Sequence, residues 1–213
     1  MLHFLYANQL HTQPALRDSM FRDRADQFSA RLGWAVSVSE AGEERDGYDA
    51  LDPLYVIWET GGRHGGSMRF LPSTGPTMLN DHFLGLLDGR PLRNPRIWEC
   101  TRFCLARGAA PSVSAALMLG GAELGLGMGL DFSAGVFDAR MTRIYARLGW
   151  NPAVLGSAGE GRDRIAAGLW HFSESIADRL AEKAGIARAR SRSWYHLSMD
   201  RAARLGRPQL VPA

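Results

Sequence analysis

Leu16, Met20, Phe28 and Leu32 fall on one four-residue series with Arg24 in its middle, the ridge of an amphipathic helix. Pro14 suits the first turn of that helix, and Gly33 is a natural stop. A cation inside an apolar stripe is either a snorkelling surface arginine or one held by a carboxylate. Runs of β-branched and aromatic residues predict strands at 2–6, 54–58 and 65–71, the last two joined through a Gly-rich turn as a hairpin. Alternation along 65–71 puts Ser67, Arg69 and Leu71 on one face and Met68 with Phe70 on the other. Arg69 is then a mid-strand cation that needs an acid if its face is covered.

Residues 78–87 read as a short helix containing Phe83, 96–103 as a strand, 112–124 as a helix and 131–137 as a strand. Asp138 caps a helix running to Leu148, with Met141, Ile144, Tyr145 and Leu148 as its apolar stripe. Arg140, Arg143 and Arg147 line another face of it, either a solvated basic surface or a dock for an acidic partner. A strand near 164–172 and a helix over 173–184 follow, and the Arg-rich tail from Arg188 reads as peripheral. The glycines at 125–129 lack the strand-then-helix context of a phosphate loop and read as a helix end and turn. Without a repeat, linker or low-complexity block, residues 1–213 form one domain of mixed helices and strands.

The chemistry concentrates in the strand at 96–103, Arg-Ile-Trp-Glu-Cys-Thr-Arg-Phe, which carries Glu99 and Arg102. Charges on a buried strand are costly unless paired or in use, so these are a structural ion pair or part of a site. Alternation points them to opposite faces; either they serve different partners or a bulge realigns them. Upstream, Glu-Glu-Arg-Asp-Gly-Tyr-Asp at 43–49 places Asp46 and Asp49 between Trp34 and the strand at 54–58.

Composition narrows the class. Hydrophobic residues make up 46% and charged ones 22%, enough apolar material for a core. Lys183 is the single lysine, so arginine supplies nearly all the positive charge, and the net +3 is too small and scattered for nucleic-acid binding. Cys100 and Cys104 lie too far apart along an extended strand for a disulfide, and no histidine cluster accompanies them to bind metal. The N-terminus lacks a signal-peptide pattern, and Glu123 interrupts the best apolar run, which excludes a membrane span and predicts a cytoplasmic protein.

The ordered series Arg24, Phe28, Trp34, Asp46, Asp49, Arg69 followed by Leu-Pro-Ser-Thr-Gly-Pro, Phe83, Glu99 and Arg102 resembles the signature of the LuxI-type acyl-homoserine-lactone synthases of bacterial quorum sensing. The resemblance covers roughly residues 1–172. It implies a three-layer α/β/α sandwich similar to the GNAT acetyltransferases, with a mixed twisted sheet. It also implies a reaction in which the amine of S-adenosylmethionine attacks an acyl thioester carried by acyl carrier protein or coenzyme A. The methionine carboxylate then closes the lactone and expels methylthioadenosine. S-adenosylmethionine is consumed as a substrate, and no cofactor or metal is implied.

On that resemblance Glu99 is the expected base, with Arg102, Asp46, Asp49 and Arg69 completing the catalytic set. Arg24, Phe28, Trp34, Asp46, Arg102 and Phe103 would bind S-adenosylmethionine, whose sulfonium and adenine suit aromatic faces. Phe83, Thr101 and Gly135 would shape the acyl pocket. Gly135 falls where synthases preferring 3-oxo chains often carry Thr, which implies an unsubstituted or otherwise non-3-oxo chain. Arg143 and Arg147 would meet the acidic carrier protein. The competing readings are a GNAT-like N-acyltransferase that forms no lactone and a non-catalytic carrier-binding module.

Overall fold

The computed structural model describes residues 1–204 of the 213. Strands β1 (Leu2–Tyr6), β2 (Leu54–Thr60), β3 (Arg63–Pro72), β4 (Ile97–Leu105), β5 (Phe132–Asp138), β6 (Ala153–Ala158) and β7 (Ile165–His171) form one sheet. Their spatial order is β1-β2-β3-β4-β5-β7-β6. Every neighbouring pair is antiparallel except β4–β5. That parallel pair needs a long crossover. Helix α3 (Ser112–Gly127) supplies it; the other helices are α1 (Pro14–Ala25), α2 (Met78–His82), α4 (Ala139–Leu148), α5 (Glu174–Ala184) and α6 (Arg188–Arg204).

The two-residue period of the strands sorts side chains into two cores. Leu2, Phe4, Val56, Met68 and Phe70 face α3, in a cluster that also takes residues of α4, α5 and α6. Leu5, Tyr55 and Ile57 point the other way, onto Leu16, Met20 and Phe21 of α1. Leu79 of α2 packs on that second side with Ile97, Ala134 and Ala167. The result is the expected three-layer α/β/α sandwich. Helix α3 lies so close to the sheet that a Cβ on Gly120 would stand 2.5 Å from Val56 Cγ1, so only glycine fits there.

Several elements depart from their sequence reading, each for a physical reason. The first helix does not run uniformly to Gly33; α1 passes into a π-helical turn at Asp26–Arg31, closed by Leu32 N–H donating to the Gln27 carbonyl at 3.1 Å. A four-residue step overshoots an α-helical turn by about 40°. The wider turn takes up that drift, and Phe28 stays on the buried ridge with Met20 and Arg24. The predicted helix at 78–87 breaks at Phe83, where α2 ends and Leu84–Leu87 winds as a 3₁₀ turn. Strand β6 was not predicted: it is an edge strand exposed on nearly every residue, so burial imprints no alternation on its sequence.

Residues 188–204, read as a peripheral tail, form α6 and pack on β1 and α3. Tyr195 sits edge-on to Phe4 with ring centroids 5.3 Å apart. Buried Glu123 of α3 accepts hydrogen bonds from Arg188 and Ser191. The many arginines of this segment mask a narrow buried ridge of Ser191, Tyr195 and Ala202. Among the described residues, no helix is long and apolar enough to cross a membrane.

Candidate active site

Two irregularities in the sheet build the site. Between β3 and β4, Ser67 opposes Cys104 while Arg69 opposes Thr101, so β4 carries one extra residue there. That bulge puts Arg102 in the left-handed region, at φ 53°. It brings the Arg102 guanidinium to the α1 face of the sheet, where it shares Asp46 with Arg69. The bulge is thus the alternative that holds, and Glu99 and Arg102 serve different partners as well. Between β4 and β5, the ladder consists of three pairs, Ile97–Phe132, Trp98–Ser133 and Glu99–Ala134. Beyond Glu99 the strands part.

On the α1 face three arginines and three carboxylates interlock. Arg24 donates from Nε to Glu44 at 2.6 Å and from both terminal nitrogens to Asp49 at 2.9 Å. Arg69 donates to both oxygens of Asp46, to Asp49 at 2.9 Å and to Thr101 Oγ1 at 3.0 Å. Arg102 reaches Glu44 and Asp46 at 2.9 and 2.8 Å. Asp46 also caps the 3₁₀ turn Gly47–Leu51, accepting from the Tyr48 and Asp49 N–H groups, and Tyr55 donates to Asp49 at 2.5 Å. Burial alone would raise the Asp49 carboxyl, but Arg24 and Arg69 hold it well below the usual carboxylate range. Arg24 is pulled down by burial and more than restored by Asp49 and Glu44, so it stays charged; snorkelling is excluded at 1% exposure.

Glu99 stands apart from this lattice. Its oxygens accept from the backbone N–H groups of Met78 at 3.0 Å and Leu79 at 2.6 Å, and among the described residues it has no salt bridge. Of the two readings offered for Glu99 and Arg102, the structural ion pair is therefore the one that does not hold. Burial pushes the Glu99 carboxyl up to about 7, the two N–H donors and the Arg69 field pulling it back only in part.

The parted strands open a cavity of about 710 Å³. Glu99, Thr101, Arg102 and Phe83 line it on one side of the sheet, and Phe103, Gly135, Met118 and Tyr145 on the other. Phe28 and Trp34 stand at the same cavity, stacked with centroids 5.1 Å apart and planes 7° from parallel. Trp34 is 43% exposed, and the Arg102 guanidinium lies 5.4 Å from the Phe28 centroid. Arg24, Arg69, Asp46 and Asp49 support this wall from behind. A Cβ on Gly135 would meet the Cys100 carbonyl oxygen at 3.0 Å, so the parting strands are still close at that point. Arg143 and Arg147 are exposed on α4, outside the cavity.

Sequence reasoning missed Glu44, which is fully buried and bridges Arg24 and Arg102. Charge arithmetic held the signal: three buried arginines and two aspartates call for one more acid. Met78 was missed as well, though its N–H binds Glu99 and its sulfur lies 3.5 Å from Arg102 Nη1. Among the described residues no cluster of His, Cys, Asp and Glu suits a metal ion.

The arrangement has relatives. The autoinducer synthase family model matches residues 8–180. An acyl-homoserine-lactone synthase from Rhizobium etli is 39% identical over 179 residues, which cover 80% of this chain and 84% of that protein. Among solved structures, the CoA-dependent acyl-homoserine lactone synthase BjaI with MTA superposes with a TM-score of 0.80 at 24% identity, covering 90% of this chain and 98% of that one. The synthase LasI superposes at 0.74 with 26% identity, covering 85% and 94%. A family match over most of the chain, joined to the interlocked arginines and the parted strands, settles the assignment: the chain belongs to the autoinducer synthase family.

Proposed function

We propose that this chain makes an acyl-homoserine lactone from S-adenosylmethionine and an acyl thioester, and that Glu99 is its base. One observation carries the role of Glu99: a buried carboxylate with its pKa near 7, left without a guanidinium, at the point where β4 and β5 part over an apolar cavity. A base poised near neutral pH matches the deprotonation of an attacking ammonium.

The amine nitrogen attacks the thioester carbon, its proton passes to Glu99 directly or through water, and the thiol of the donor leaves. N–H groups of the backbone at 101–103, beyond the end of the β4–β5 ladder, would receive the oxyanion. The methionine carboxylate then attacks its own γ-carbon; the carbon–sulfur bond breaks and methylthioadenosine departs with the electron pair. Arg102 is the arginine for that carboxylate. The donors of Arg24 go to acids and those of Arg69 to acids, Thr101 and the Met78 sulfur, whereas Arg102 lines the cavity and, among the described residues, its Nη1 meets only the Met78 thioether. Phe28 and Trp34 offer the stacked face for the sulfonium or adenine.

For the acyl donor, BjaI has been solved with SAM and isopentyl-CoA. In this chain the exposed Arg143 and Arg147 favour acyl carrier protein, whose acidic surface they would meet in the cytoplasm. The test is methylthioadenosine release by the purified protein given S-adenosylmethionine and acyl donors. Simple N-acylation of another amine cannot produce it, so silence across carrier-bound and CoA-bound donors would overturn the reading. Mass spectrometry of a signal-free host expressing the chain then reads the acyl group from the parent ion.

A further inference from the structure

Two residues of the cavity wall carry polar atoms that the reaction as described does not use. Ser133 Oγ and Trp170 Nε1 are buried without a hydrogen-bond partner among the described residues. Both residues line the cavity, 4% and 6% exposed. They stand directly opposite each other in the β5–β7 ladder, so their side chains share one face. Trp170 belongs to the main apolar cluster. The Trp170 ring is held edge-on by Phe137 and Tyr145, at centroid distances of 5.5 and 5.0 Å, which fixes the direction of its N–H.

An orphaned donor and an orphaned hydroxyl in an apolar wall are costly unless the ligand satisfies them. We propose that Ser133 and Trp170 select an acyl chain that bears an oxygen, a hydroxyl or a keto group, over a plain alkyl chain. This rests on the synthase reading above and deepens it. Trp170 supplies a donor only, and Ser133 a donor or an acceptor. A chain hydroxyl accepts from the indole N–H and gives its proton to Ser133; a keto oxygen accepts from both. An alkyl chain leaves both atoms unpaired. The hydroxyl absent at Gly135 is thus present one repeat along the same strand face, at Ser133. The non-3-oxo expectation drawn from position 135 alone is not carried over to the chain as a whole.

The experiment compares kcat/KM for methylthioadenosine release with carrier-protein and CoA thioesters of one chain length: unsubstituted, 3-hydroxy, 3-oxo and ω-hydroxy. The full chain should favour at least one oxygenated donor by roughly ten- to a hundred-fold. Which one leads separates hydroxyl from keto recognition. In Ser133→Ala and Trp170→Phe the ratio of that donor to the unsubstituted one should fall towards one; Ser133→Ala decides the matter if the tryptophan variant does not fold. A wild-type preference for the unsubstituted chain over all three, or a ratio unmoved by Ser133→Ala, overturns the proposal. No release with any donor would instead strike the synthase reading itself.

Discussion

Glu99 and Arg102, three residues apart on β4, face one cavity yet do not pair: the guanidinium is taken by Glu44 and Asp46, and the carboxylate by two backbone N–H groups. The separation leaves Glu99 buried beside a charge-balanced lattice with its proton affinity raised. Had Arg102 bound it, the carboxylate would be a permanent anion of little use as a base near neutral pH.

The pH profile follows from this. A carboxyl raised to about 7 is protonated, and so inactive as a base, below that pH. The value of kcat/KM should rise about tenfold per pH unit up to about 7 and level off above it. Glu99→Gln should lose about 10²–10⁴-fold and flatten that limb. A profile unchanged in the variant would remove Glu99 from the proton transfer.

Backbone strain at the bulge can be separated from side-chain chemistry. Arg102→Ala and Arg102→Gly both delete the guanidinium, and only glycine relieves the left-handed conformation at φ 53°. The glycine variant should be more stable than the alanine variant by about 1 kcal/mol in urea denaturation. Both should raise KM for S-adenosylmethionine.

Glu44 lies behind the cavity wall and bridges two of the arginines, so its removal reports on support of the lattice. Glu44→Gln leaves Arg24 and Arg102 short of one buried charge and should cost about 3–5 kcal/mol. A loss under about 1 kcal/mol would mean that the lattice does not depend on this carboxylate.

Replacing exposed Arg143 and Arg147 by Glu should raise KM for carrier-bound donor several-fold at low salt and much less at high salt. Equal KM values for wild type and variant would place the carrier elsewhere.

Much of this was legible beforehand because it lives in periods and charge. The two-residue alternation placed Arg69 against Met68 and Phe70, and the Asp138 cap placed α4 to within a residue. What escaped had no local signature. Glu44 differs from its neighbour Glu43 only in burial, which the chain's return beneath α1 imposes. The bulge at Arg102 adds a residue without a glycine to mark it. Strand β6 is wet on both faces, and the buried ridge of α6 is outnumbered by arginines.

The π-helical turn at Asp26–Arg31 carries information that no side chain holds. It sets where the Phe28–Trp34 plate lies relative to the anchored Met20 and Arg24, and it does so by the number of residues between them. An alanine scan would pass over it, since every substitution keeps the count. Deleting one residue there would restore an ordinary helical ladder and turn the plate about 100° around the axis. The aromatic face of this cavity is written partly in chain length, and insertions or deletions are the mutations that read it.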